Sequence, residues 1–137
     1  MPKIYLVSDA TDVLEDVSSA LEYVSQEITT FHSGTELLAA CRAASPDLAV
    51  IDMQIGTMGG MAIAMDLHLE ESGGRLPHVP VLLLLDRRAD VFLALRSQSE
   101  GYVIKPLDPL RVAEAAAAVL RDGSYKDPSY RPAEVQN

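Results

Sequence analysis

Three charged side chains stand at the ends of strand-like runs. Asp9 follows Lys3-Ile4-Tyr5-Leu6-Val7-Ser8, Asp52 follows Pro46-Asp47-Leu48-Ala49-Val50-Ile51, and Lys105 follows Gly101-Tyr102-Val103-Ile104. Two carboxylates and an ammonium brought together make a charged site, and Asp52, which closes an apolar run before a glycine-rich loop, is its candidate centre. An Asp after a buried strand also serves as a helix cap or turn residue, so Asp52 gains meaning only from its company.

The three groups meet only if their strands lie side by side and parallel, with the carboxyl ends of the strands forming the site. The chain alternates apolar strand-like runs with amphipathic helical segments, which predicts an α/β fold with a doubly wound parallel sheet. Asp12, with Glu15 three residues on, predicts a helix start, and Val13, Leu14, Val17, Leu21 and Val24 recur at helical spacing. A short edge strand over Glu27 to Phe31 is followed by a helix from Gly34 to Ala44, closed by Pro46. Gly59 and Gly60 precede a helix from Met61 to Glu71, which Ser72-Gly73-Gly74 stops. Its Met61, Met65 and Leu69 are read as core packing, and His68 as a surface or half-buried side chain.

Val79 to Leu85 is apolar throughout and reads as a central strand covered on both faces. Ala89 to Gln98 has a weaker helical pattern, while Asp108-Pro109 caps a last helix running to about Arg121 and ending at Gly123. Residues 1–123 are thus expected to form one domain. Residues 124–137 lack periodicity and are expected to be flexible or to pack irregularly on it.

A chain of 137 residues with 48% hydrophobic content builds one core and leaves no room for a second domain. Its formal charge of −9 argues against a nucleic-acid partner, which needs clustered Lys and Arg. No apolar run is long enough to span a membrane and the N-terminus is already a strand, so a cytoplasmic protein without membrane contact is expected. Cys41 is the single cysteine and sits in an Ala- and Leu-rich helical stretch, which suits a buried inert thiol in a reducing compartment. The Gly56 to Gly60 cluster lacks the Lys and the spacing of a phosphate cradle.

In Pro46-Asp47 leading to Asp52, in Met58-Gly59-Gly60, and in Tyr102-Val103-Ile104-Lys105-Pro106-Leu107-Asp108-Pro109, the chain resembles the receiver domain of bacterial two-component response regulators, over roughly residues 3 to 121. The resemblance implies the flavodoxin-like (βα)5 fold with strand order 2-1-3-4-5. It implies Asp52 as phosphoacceptor, with Asp9, Asp52 and the Gln54 carbonyl holding Mg²⁺ and Lys105 pairing with Asp52 or its phosphoryl oxygens. It makes Tyr102 the switch aromatic, against the alternative of a strand tyrosine with a half-buried ring, and makes the Lys105-Pro106 bond cis. Implied partners are a histidine kinase or another signalling protein, with the face of the fourth helix, fifth strand and fifth helix as contact or homodimer surface. Activity would be at most self-phosphorylation and slow self-dephosphorylation, so an enzyme in the ordinary sense is not expected.

Two departures qualify that pattern. Ser8 stands where the family usually has the first of two adjacent acids, and opposite unit charges about 4 Å apart interact by ~4 kcal/mol at an effective dielectric of about 20, so Mg²⁺ binding should be weakened. Asp12 is an extra acid nearby whose place in a first helical turn suits it to helix capping. At the end of the fourth strand, Leu85 stands at the switch hydroxyl position and Asp86 at the small-residue position, although a slip of one residue would put Asp86 at the switch. Either way a hydroxyl is missing, with a loss of roughly 1.5–3 kcal/mol, or about 10- to 150-fold in coupling. Asp86 either faces Asp52, repelling an anionic donor or mimicking part of the phosphorylated charge pattern, or pairs in solvent with Arg87 or Arg88. The leading expectation is therefore an atypical single-domain response regulator acting through protein contacts. The alternatives are a phosphotransfer intermediate passing a phosphoryl group on from Asp52, and a flavodoxin-like small-ligand binder, which the lack of a Ser-, Thr- and Gly-rich phosphate loop disfavours.

Overall fold

The computed structural model describes residues 1–55 and 59–129; Gly56, Thr57 and Met58 of the glycine-rich loop and residues 130–137 of the tail lie outside the described residues. The apolar runs form β1 (Lys3–Val7), β2 (Glu27–Phe31), β3 (Leu48–Asp52), β4 (Val81–Leu85) and β5 (Gly101–Ile104). All pair parallel in the order β2-β1-β3-β4-β5, the doubly wound arrangement expected. Between them run α1 (Thr11–Leu21), α2 (Gly34–Ala43), α3 (Gly60–Ser72), α4 (Val91–Arg96) and α5 (Pro109–Asp122).

Strand side chains alternate between two cores because the side-chain period of a strand is two. Val7, Ile51, Leu83 and Leu85 join α2, α3 and α4 on one face, while Leu6, Val50, Leu84 and Val103 join α1 and α5 on the other. Both faces of β3 and β4 are thereby covered, and every residue of the two strands is buried. Edge strand β2 keeps Glu27, Thr29 and Thr30 exposed.

Several local expectations are corrected. The first helix starts at Thr11 behind Ala10, which has no side-chain cap, so Asp12 lies in the first turn and does not start the helix. β4 begins at Val81, two residues later than the apolar run suggested, because Pro80 has no N–H to give a ladder. The weak fourth helix is shorter than expected, with a 3-10 turn over Arg88–Asp90 leading into it. On α3, Met61 packs against the core as expected, but Met65 and Leu69 are 47% and 62% exposed. The buried stripe is instead Gly60, Ile63, Ala64 and Leu67. α3 is apolar on both faces, so spacing alone could not tell which one turns inward.

Gly60 is fixed by close approach. A Cβ there would stand 2.6 Å from the Asp52 carbonyl oxygen, so only glycine lets α3 start directly against the end of β3. Cys41 is buried, and burial pushes its thiol up to about 11, in keeping with an inert side chain. The described part of the tail packs on the domain: Tyr125 bridges Gly101 in parallel sense and the Asp127 side chain is fully buried. Among the described residues, no helix is long and apolar enough to cross a membrane.

Candidate functional site

Four strands end at the same edge of the sheet, and each delivers one polar side chain there. Ser8 follows β1, Asp52 closes β3, Asp86 follows β4 and Lys105 follows β5. Parallel pairing makes these positions neighbours; Asp52 lies opposite Leu84 and Leu85 opposite Ile104 in the ladders. The carboxylate of Asp52 is at the centre, only 1% exposed.

Both Asp52 oxygens are engaged. Oδ1 accepts from Lys105 Nζ at 2.8 Å and from the Gln54 N–H at 3.2 Å, while Oδ2 accepts from Ser8 Oγ at 2.7 Å. Ser8 is itself fixed: its Oγ also accepts from the Ala10 N–H at 3.1 Å, and the residue is fully buried. Ser8 therefore binds the Asp52 carboxylate directly, a contact that sequence alone did not reveal.

Lys105 is shared. Its Nζ donates to Asp86 Oδ1 at 2.9 Å as well as to Asp52, so one ammonium is shared between two carboxylates. Burial by itself would lower the Lys105 pKa, but the hydrogen bonds to Asp52 and Asp86 outweigh it and hold the pKa above the usual lysine range. Asp86 does not pair with Arg87 or Arg88 as the solvated alternative held; Arg87 instead binds Asp90 at 3.2 Å. Sequence proximity favoured Arg87, whereas strand pairing brings Lys105 from 19 residues away. The register question resolves with Leu85 in the core and Asp86 at the site.

Tyr102 is only 4% exposed and belongs to the same core as Leu85, Val91 and Ala94, so the half-buried ring of the alternative reading is not what the structure has. The Lys105–Pro106 bond is cis. Asp9 lies beside Ser8 with an exposed side chain. The donor chemistry at this edge suits a hard cation: carboxylates of Asp9 and Asp52, the Gln54 carbonyl, and the buried Asp86 Oδ2, which has no hydrogen-bond partner among the described residues. Among those residues, however, no three or more His, Cys, Asp or Glu side chains are grouped as a metal cage. Asp127 was missed altogether. Its signal in the sequence is Asp127-Pro128-Ser129, an Asx-turn in which Oδ1 accepts from the Ser129 N–H at 2.8 Å.

Known proteins share this fold. Residues 4–117 match the response regulator receiver domain family. The chain is 33% identical over 120 residues to the probable transcriptional regulatory protein TcrX of Mycobacterium tuberculosis, covering 86% of this chain and 49% of that protein. It is 31% identical over 134 residues to the transcriptional regulatory protein CseB of Streptomyces avermitilis, covering 96% of this chain and 54% of that one. The chain thus spans about half the length of these relatives. The chemotaxis response regulator CheY4 of Vibrio cholerae superposes with a TM-score of 0.76 at 21% identity, over 87% of this chain and 98% of CheY4, which speaks for the fold. With the matched segment spanning all five strands and the paired Asp52 and Lys105 at their ends, the chain belongs to the receiver domain family of two-component response regulators.

Proposed function

We propose that this receiver holds its acceptor site in a charge-compensated state and signals through protein contacts, with Asp52 a slow phosphoacceptor. Receiver domains are in general phosphoacceptors that work in signal transduction and bind Mg²⁺ at the phosphorylation site. One observation carries the finer reading: Lys105 Nζ bridges Asp52 and Asp86 at 2.8 and 2.9 Å.

In phosphoryl transfer an Asp52 oxygen forms a bond to phosphorus as the bond from phosphorus to the donor's leaving atom breaks, an oxygen in an acyl phosphate or an imidazole nitrogen in a phosphohistidine. Oδ1 already accepts two hydrogen bonds, whereas Oδ2 accepts one from Ser8 and keeps a lone pair for attack, its nucleophilicity lowered by that bond. Asp86 adds a negative charge where an anionic donor approaches, and keeps Lys105 occupied. Mg²⁺, held by Asp9, Asp52 and the Gln54 carbonyl, would offset phosphoryl charge, with Ser8 contributing no charge to it.

The same features support one dominant conformation. Leu85 offers no hydroxyl to recruit, and Tyr102 is held inside by apolar packing. A signalling protein, a histidine kinase among them, would meet the α4–β5–α5 side. There Phe92 and Leu95 of α4 and Leu110 of α5 are exposed, and the same side could join two copies of the chain.

The test is labelling of the chain by a small acyl-phosphate donor with Mg²⁺, followed by intact mass beside an Asp52→Ala control. The wild type should label slowly and the control not at all, while Asp86→Ala should label about tenfold faster. Equal rates for wild type and Asp86→Ala would overturn the compensated-site reading.

A further inference from the structure

The outer edge of β5 is covered from within the chain. In a parallel strand, alternate backbone N–H groups point to opposite sides, and those of Tyr102 and Ile104 point away from β4. An open edge would leave both to solvent or to another chain. Here the Tyr102 N–H donates to the Tyr125 carbonyl at 3.2 Å, and the Tyr125 N–H returns to the Glu100 carbonyl at 3.1 Å. The Ile104 N–H donates to Asp127 Oδ2 at 2.8 Å, so a side chain completes the ladder where the backbone turns away.

Three further features mark this as a built contact. The Asp127 side chain is fully buried, and its Oδ1 lies 3.4 Å from Arg111 of α5. Burial would raise the Asp127 pKa, but the amides of Ile104 and Ser129 and the Arg111 guanidinium outweigh it and hold the carboxyl ionised. At Gly101, a Cβ would meet the Tyr125 carbonyl oxygen at 2.8 Å, so the strand carries glycine where the tail crosses it.

The clamped amide belongs to the residue just before Lys105, the cation that bridges Asp52 and Asp86. We propose that residues 124–127 are a strap that latches the β5 edge through Asp127, positions Lys105, and is therefore coupled to the contact between Lys105 and Asp52. Coupling of this kind is reciprocal: what loosens Lys105 loosens the strap, and release of the strap frees Lys105. Asp127 is a positioning residue, acting on the site through Ile104. Strap release would also bare the two N–H groups of β5 on the partner-facing side of the domain. The inference stands on geometry alone and needs no phosphoryl transfer to be true.

Amide hydrogen exchange on the full chain tests it. Asp127→Ala should speed exchange at Tyr102 and Ile104 by about 10- to 100-fold while the amides of β1 keep their protection. Asp127→Asn, which keeps an acceptor oxygen, should restore most of the Ile104 protection. Asp52→Asn touches no strap residue, yet it should speed Ile104 exchange about threefold through the loosened Lys105. Unchanged exchange in Asp127→Ala, or uniform loss across the sheet, would overturn the latch. Unchanged Ile104 exchange in Asp52→Asn would overturn the coupling, whatever the outcome of acyl-phosphate labelling.

Discussion

Two ionic clusters sit at opposite ends of β4 and β5, and they differ in what holds them. At the carboxyl ends, Lys105 lies between Asp52 and Asp86 in a largely buried setting. At the amino ends, His78 lies between Glu71 and Glu100, with Nδ1 and Nε2 each 2.8 Å from a carboxylate oxygen. Carboxylates only accept, so an imidazole that donates to both must carry two protons. His68 stands 3.9 Å from the same Glu71 oxygen, and Glu100 also accepts from the Val81 N–H at 2.7 Å, at the start of β4.

The two clusters share a sign and differ in window. The hydrogen bond to Glu71 raises the His78 pKa against the opposing effect of burial, and the charge of Glu100 adds to the rise. A raised folded pKa gives stability that is present below the unfolded value and is lost as pH rises through the folded one. For His78 that loss begins above the ordinary histidine value of 6.5, and for Lys105 above the ordinary lysine value of 10.5. The His78 cluster is therefore poised to respond near neutrality, while the Lys105 ammonium keeps its charge across the physiological range. The lesson is that the same motif, a cation between two acids, is a switch or a fixture according to the cation's intrinsic pKa and its exposure.

The largest break in this contrast should come from Lys105→Met. Removing the shared cation leaves two acids facing each other, one of them buried, at a cost of about 3–5 kcal/mol in chemical denaturation. Because the orphaned acids can take up a proton, the deficit should shrink as the pH is lowered toward 4, a value in the ordinary carboxylate range. A deficit independent of pH would show that lost packing, not charge, is responsible.

Leu85→Thr should follow. The leucine is fully buried beside the site, so its loss from the core should cost about 2–4 kcal/mol by thermal or urea unfolding, even though it adds a hydroxyl at the end of β4. A cost below about 0.5 kcal/mol would mean that the new hydroxyl finds a partner at Asp86 or Lys105 and offsets the loss.

The smallest effect belongs to the other cluster. His78 is 44% exposed, so solvent screens its pairs and His78→Gln should cost no more than about 1 kcal/mol below pH 6.5. That difference should vanish at a pH well above the raised His78 value. Stability curves for wild type and variant that run parallel through this range would remove the contrast between the two ends.

What was legible in the sequence follows from local rules. Apolar runs of strand length, alternating with helical periodicity, gave five βα units, and the charged residues closing three of them marked Asp9, Asp52 and Lys105. The stop at Gly123 and the cap at Asp108 were equally local: Gly123 adopts φ 85° and Asp108 accepts from the Leu110 N–H at 2.9 Å. The buried face of α3 was not legible, because Met65 and Leu69 are as apolar as Ile63 and Leu67 and only the neighbouring elements decide which side is covered. Nor were the partners of the charges. Asp86 passes over Arg87 beside it for a lysine 19 residues on, and Ser8 finds a carboxylate 44 residues away.

Residue type and periods of two and about 3.6 suffice for the order of elements and the strand-end positions of the charged groups. Folding was needed to show that Lys105 serves two acids, that Ser8 binds Asp52, and that Asp127 returns to close the β5 edge. The physical reason is range. Propensity and patterning act over a few residues, whereas a charge pairs with whatever the folded sheet brings within about 3 Å, and burial then sets how strongly the pairing counts.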